Sequence, residues 1–335
     1  MHLNKINDLF LNEGFIESSV AELKDPISIG IYKAQVNSKN IGTMEFLKKH
    51  KHEKESPNKK YNTALIGLFP YYPLEDELNS SLRVSIYAKS KDYHIKLNDK
   101  LQTIINDLKI WYPKEDFLSA VDSKPVLEKD LAFRAGLGWI GKNTCLLNKE
   151  HGSLFFIAEI LTSLKFDDEK RTLITHPTDH CGTCTRCIDV CPTDALTPHK
   201  LEVDKCISYR TIEKKDISKD VLHSPTDSWL FGCDLCQTVC PWNEKVFGKD
   251  NMRRLEKWSV GEEQIEELKD ILLSSNKSLE KKYREFPLSR SRGKRLKRNA
   301  LQVIYENKIL KLKSLLETID LGDLNELKNE VIDGL

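Results

Sequence analysis

Seven of the nine cysteines fall into two short runs, and no other feature constrains the chain as strongly. Cys181, Cys184, Cys187 and Cys191 are spaced C-x2-C-x2-C-x3-C with Pro192 next; Cys233, Cys236 and Cys240 follow, closed by Pro241. The first spacing is one that holds [4Fe–4S] clusters: three sulfurs wrap one cubane, and the cysteine ahead of the proline reaches the other cluster in two-cluster proteins. Cys181, Cys184, Cys187 and Cys240 are therefore expected on one cluster. Cys191, Cys233 and Cys236 supply three ligands of the second, which needs a fourth. Cys206 lies between the runs and is assigned as that eighth ligand; Cys145 lies well before them and reads as a small buried apolar residue. Zinc also takes paired C-x2-C knuckles, but a third cysteine at x2 and a fourth at x3 before proline fit such a knuckle poorly. Disulfides are not expected, because nothing marks the chain for export.

The chain has 335 residues, enough for two or three domains, and its charge balances at 52 Lys and Arg against 51 Asp and Glu. That balance hides a local excess: residues 281–298, KKYREFPLSRSRGKRLKR, hold nine cations and one acid. The N-terminal MHLNKINDLFLNEGF reads as a polar amphipathic helix without a signal-peptide apolar core. No stretch approaches the ~20 apolar residues of a membrane span. A cytoplasmic protein is expected, where thiols stay reduced and clusters can be assembled.

The pattern divides into three regions: an α/β domain over 1–170, a two-cluster module over 171–248 and a helical segment over 249–335. Residues 61–72 carry a buried strand, residues 82–88 alternate as a second, and residues 153–164 are apolar enough for a central one. Ile95, Leu97, Leu101, Ile104, Ile105 and Leu108 set a helix over 93–111. A further helix has Pro125 in its first turn and Gly136 as its stop. Leu301, Ile304, Ile309, Leu310 and Leu312 suit one helix and 321–331 another, a pair resembling a unit of a helical repeat. No G-x-G-x-x-G follows a strand, so a dinucleotide fold is not signalled.

The segments DSKPVLEKDLAFRAGLGWIGKN (122–143), HCGTCTRCIDVCPTDAL, CISYRTIE, FGCDLCQTVCPWN and PLSRSRGKRLKRNAL, with MEFLKKH and KDYH earlier, closely resemble the epoxyqueuosine reductase family. The resemblance covers most of the chain and departs at the C-terminus, where some members carry a longer helical-repeat tail. It implies a cobalamin-binding α/β domain, a ferredoxin-like module with two [4Fe–4S] clusters and a HEAT-like helical end. It implies base-off cobalamin, and reduction of epoxyqueuosine to queuosine at the wobble base of tRNA. A monomer served by an external low-potential electron donor and bound to no membrane is expected. The family also draws its last cluster ligand from the CISY segment, in agreement with Cys206. Reductive dehalogenases share the cofactor plan; a dehalogenase-like reductase of a small molecule is the alternative, and it gives the basic segment no purpose. A plain electron carrier would not need the first 170 residues.

Removing an epoxide oxygen needs electrons that no side chain supplies, and a proton for that oxygen. Asp122 is the expected donor, a role that the resemblance also implies. An ordinary aspartate has a pKa of ~3.9, so mostly protonated Asp122 needs its pKa raised by about three, worth about 4 kcal/mol; burial beside a corrin can do this. The alternative is a helix cap ahead of Pro125. Gly136, Gly138 and Gly141 permit close backbone approach to a ligand, and Lys142 can meet a phosphate or a corrin amide. Ser208, Tyr209 and Asp234 adjoin cluster ligands and are expected to face the corrin by resemblance. His94 is read as structural, with a place at the cofactor as its second role. Arg290, Arg292, Lys294, Arg295, Lys297 and Arg298 are expected on tRNA phosphates, with a solvated helix face as the other reading. The wobble base would be splayed into a pocket, as single-stranded RNA recognition allows.

Overall fold

Apolar residues one turn apart explain the first helix: Ile6 and Phe10 share a face of α1 (Leu3–Asn12), and both are fully buried. The computed structural model describes residues 3–24, 26–38, 40–49, 60–73, 78–122, 124, 126–165 and 179–335. After α1 come β1 (Glu17–Glu22), α2 (Ile29–Asn37), α3 (Phe46–Lys49), β2 (Thr63–Pro70) and β3 (Arg83–Val84). Then follow α4 (Tyr93–Trp111), β4 (Phe117–Ala120), α5 (Glu128–Arg134), a hairpin of β5 (Trp139–Ile140) and β6 (Leu146–Leu147), and β7 (Phe155–Thr162).

Strands β1, β2, β7 and β4 form one sheet in that order, every pair antiparallel. The α/β expectation thus becomes a sheet of α+β type, with helices on both faces. Side chains alternate across it. Leu65, Ala158 and Ile160 pack toward α1 and α4, whereas Ala64, Ile66 and Leu161 pack toward α5. The 153–164 expectation is met by β7, which is central. Helix α4 spans the expected residues, buries Leu97, Leu101, Ile104, Ile105 and Leu108, and is capped by Asp92, which accepts from the His94 N–H at 3.0 Å. Gly136, at φ +82°, stops α5, with the Leu137 N–H reaching back to the Ala132 carbonyl. The expected helix start at Pro125 lies outside the described residues; α5 is helical from Glu128.

One expected strand is cut short. Residues 82–88 keep only β3 and then turn into a 3-10 helix, Ile86–Ala88. The buried Asp234 carboxylate causes this: it accepts from the Ile86 N–H at 2.7 Å and the Ser85 hydroxyl at 2.6 Å, taking Ile86 out of any ladder.

The cysteine runs sit among short elements: α6 (Arg186–Asp189), β8 (Leu196–Thr197), β9 (Lys200–Leu201), α7 (Ile207–Ile212), β10 (Trp229–Phe231), α8 (Leu235–Thr238) and α9 (Pro241–Phe247). The remainder is helical: α10 (Lys249–Glu256), α11 (Glu262–Leu273), α12 (Asn276–Lys282), α13 (Arg292–Glu306), α14 (Lys313–Thr318) and α15 (Asn325–Gly334). Their core of Leu268, Leu272, Leu301, Ile304, Leu327 and Val331 also takes in Leu82, Val84 and Ala88 from the first region. The single helix expected through Leu312 breaks after Glu306, where Lys308 turns to φ +48° and the Asn307 amide bonds Ser228 and the Val303 carbonyl. No described helix is long and apolar enough to cross a membrane.

Candidate active site and iron–sulfur module

No disulfide joins any of the nine cysteines, and their mutual influences fall into two sets, one around Cys187 and one around Cys236. Burial raises the Cys187 thiol to about 11, and the neighbours that push it further are Cys240, Cys181 and Cys184. Burial likewise raises Cys206, Cys233 and Cys236; Cys191 acts on Cys206, and Cys206 acts on both of the others. Cys145 is half-buried beside this second group, and after burial it is the strongest influence raising Cys236. Among the described residues no three Cys, His, Asp or Glu converge as the ligands of a single ion would. A cubane holds its sulfurs farther apart than one zinc does.

The two cysteine loops are fastened differently. Lys142 donates to the Gly182 and Cys184 carbonyls at 2.6 and 3.0 Å. Arg186 makes a two-pronged pair with Glu244 at 2.9 and 2.6 Å, drawing the first run toward α9 and its preceding Cys240. Trp139 and Trp242 meet edge to face with centroids 5.0 Å apart, packed with Cys240 and Cys181. The second run is anchored by Asp234. Burial raises its carboxyl, against the hydrogen bonds from Ser85 and Ile86.

A cavity of about 580 Å³ opens beside Cys206. One wall carries Asp122, Tyr93 and His94; another carries Ser208, Tyr209 and Glu213; Tyr71, Tyr87 and Phe156 contribute rings. Tyr93 stacks on Phe156 at 4.1 Å and 14° and donates to Asp122 Oδ2 at 3.0 Å; His94 Nε2 lies 3.8 Å from the same oxygen. The His94 hydrogen bond to Asp92, 2.8 Å long, raises the imidazole and lowers the Asp92 carboxyl. Burial, then the Asp122 charge, raises the Tyr93 phenol, so it stays a donor. Asp122 itself has φ +49°, and its N–H donates to Glu128 Oε1 at 2.6 Å. Gly42, at φ +53°, lets the backbone approach Tyr209: an added Cβ would fall 2.2 Å from the Tyr209 hydroxyl oxygen, and the Thr43 N–H donates to that oxygen at 2.8 Å.

Several sequence expectations change here. Asp122 lines the cavity but its side chain is 57% exposed; the chain alone does not bury it, so desolvation must come from whatever fills the cavity. It is not a cap, since α5 starts six residues later, with Leu127 at the N-cap position. Lys142 and Asp234 are occupied in holding the cysteine loops and do not line the cavity. Gly138 serves the β5–β6 hairpin: a Cβ there would fall 2.1 Å from the Leu147 carbonyl oxygen. Ser208 does line the cavity. The rings of Tyr71, Tyr87 and Phe156 were missed because they come from separate elements. Tyr93 lay inside the KDYH segment, the one local signal.

The basic segment is largely spent within the fold. Arg298 is 3% exposed and donates to the carbonyls of Lys214, Asp216 and Arg210 and to Asn299 Oδ1, so it is not available to a phosphate. Arg295 donates to backbone carbonyls at Ser291, Glu213 and Arg290. Arg290 pairs with Glu213 at the cavity, and Lys294 with Asp323. Arg292 is exposed and Lys297 half-buried.

Two thiol quartets beside a ring-lined cavity define a two-cluster iron–sulfur oxidoreductase, and residues 180–243 match the 4Fe-4S double cluster binding domain. Residues 58–123 match the model described as Epoxyqueuosine reductase QueG, DUF1730. The epoxyqueuosine reductase of Leadbetterella byssophila is 38% identical over 234 residues, 67% of this chain and 76% of the relative; that of Cyclobacterium marinum is 41% identical over 216 residues, 62% and 68%. The chain belongs to the epoxyqueuosine reductase family. Its fold matches the Streptococcus thermophilus epoxyqueuosine reductase at a TM-score of 0.77, with 21% identity, covering 99% of this chain and 89% of that one. It also matches, at 0.75, with 22% identity and 99% and 98% covered, an epoxyqueuosine reductase solved with an epoxyqueuosine-modified tRNA-Tyr stem loop.

Proposed function

We propose that this chain reduces epoxyqueuosine to queuosine at the tRNA wobble position, with electrons passing from two [4Fe–4S] clusters to cobalamin and then to the epoxide. One observation carries the reading: Cys206, a ligand assigned to the second cluster, and Asp122, the assigned proton donor, line the same cavity. The cavity's rings at Tyr71, Tyr87 and Phe156 suit the flat apolar face of a corrin, and Ser208 and Tyr209, close after Cys206 in the chain, line the same space. Base-off cobalamin, when bound, supplies a cobalt centre reducing enough for the epoxide. The chain's own part is to hold that face, exclude water and protonate the leaving oxygen from Asp122, whose carboxyl Tyr93 and His94 orient.

Residues 1–170, 171–248 and 249–335 serve as cofactor, cluster and tRNA regions, the last ending in HEAT-like helices, with Leu82–Ala88 built into the core of the third. Within the basic segment the tRNA phosphates fall to Arg292 and Lys297, with Arg290 at the cavity mouth. The protein works as a cytoplasmic monomer with an external low-potential donor. The test is anaerobic reconstitution with cobalamin, followed by nucleoside analysis of epoxyqueuosine-containing tRNA. Queuosine should replace epoxyqueuosine; no conversion by fully loaded protein with a chemical reductant would overturn the reading.

A further inference from the structure

Glu159 sits in the middle of β7, the central strand, with 0% of its surface exposed, and neither carboxyl oxygen has a hydrogen-bond partner. A buried, unpartnered carboxylate is costly, and the group answers by holding its proton. Burial raises Glu159 well above the usual carboxylate range, and the neighbours that raise it further are Glu128, then Asp122.

Its position connects it to the cavity. By strand alternation Glu159 faces the α5 side of the sheet, with Ile157 and Leu161. Its register partners are Ile66 on β2 and Ala120 on β4, neither ionisable, and Ala120 lies two residues before Asp122. On α5, Lys129 is held by the Thr144 carbonyl and Asp130 by Arg134, and Glu128 at the helix start is the neighbour whose charge acts on Glu159 most strongly. Glu128 accepts from the Asp122 N–H. Glu159 in the sheet interior is thus coupled by charge to Glu128 and Asp122, and Glu128 is bonded to the main chain of Asp122 on the cavity wall.

The chemistry gives such a coupling a use. Converting an epoxide to an alkene breaks both C–O bonds, forms the second C–C bond and releases the oxygen as water, consuming two electrons and two protons. The clusters supply the electrons. Asp122 holds one proton, and once cofactor and nucleotide fill the cavity its access to solvent is covered. We propose that Glu159 stores the second proton and, through Glu128, reprotonates Asp122 within a turnover. This rests on the reductase reading above.

Glu159→Gln keeps shape and removes the acid. In the cluster-loaded protein without substrate, the infrared carbonyl band of a protonated carboxyl should be present at neutral pH and vanish in the variant. With cobalamin and substrate tRNA, kcat should fall at least ~10-fold at neutral pH with KM unchanged, general acids being worth ~10² or more. The decline of kcat with rising pH should also begin at lower pH in the variant, because the stored proton is gone. Glu128→Gln should lower kcat alike while keeping the band, and serves if the first variant folds poorly. An unchanged band, or an unchanged kcat and pH profile, overturns the relay. Wild-type protein inactive on the tRNA would instead overturn the reductase reading, and the band would still report on Glu159.

Discussion

The two cysteine runs make opposite use of their surroundings. The first, Cys181 to Cys191, has half-buried cysteines flanked by exposed residues and is secured from outside by Lys142 and the Arg186–Glu244 pair. The second is fastened from within, by Asp234 against Ser85 and Ile86, and its partner Cys206 opens on the cavity. A cluster edged by exposed residues suits a donor that must dock and leave, and a more covered one suits delivery into a water-poor site. Under the proposed function the asymmetry would give a direction, with electrons entering at Cys181–Cys187 and leaving past Cys206.

The sharpest way to break this comparison is to remove one cluster. Cys206→Ser should lower iron from about eight toward about four per chain and abolish turnover, while the first cluster still reduces. Cys145→Ser, beside the same cluster, should leave iron unchanged; exchanged outcomes would make Cys145 the ligand. Next in size, Asp122→Asn should cost turnover ~10²-fold or more with both clusters present and reducible, because its fault lies beyond the second cluster. Normal turnover would remove it as proton donor.

Asp234→Ala strands the buried Ile86 N–H and Ser85 hydroxyl, a loss of about 1–3 kcal/mol for an unsatisfied group. Thermal unfolding should show it, and the second cluster should bleach in air before the first. Bleaching of the first cluster ahead of the second would reverse the assignment of these supports. Smallest of all, Arg186→Ala breaks a pair that is partly open to water, so at most about 1 kcal/mol is expected, with faster loss of the first cluster alone. Raised salt should mimic it in the wild type.

Much of this was legible before the structure. Cysteine spacing pointed to a two-cluster module, which the match of residues 180–243 to a 4Fe-4S double cluster binding domain bears out, because a cubane dictates how ligands are dealt along a chain. Helix α4 followed from apolar periodicity and strand β7 from a largely apolar run, both local properties. The basic segment was visible, but its fate was not. Density of charge cannot say that Arg298 lies inside, bonded to three carbonyls, while Arg292 faces out.

The sequence by itself determined the cluster chemistry, the family and the central strand and helix, since each is written in spacing or in residues near one another in the chain. Tertiary structure alone decided the cavity, whose rings come from the residue after β2, the 3-10 helix after β3, α4 and β7. It likewise decided the exposure of Asp122, the diversion of Lys142 and Asp234 to loop support, and the burial of Glu159. Burial and hydrogen-bond partners depend on which distant segments meet, and the free energy of a charged group depends on both. That is why Glu159, one acid among 51 in the sequence, emerges only when β2, β4 and α5 close around it.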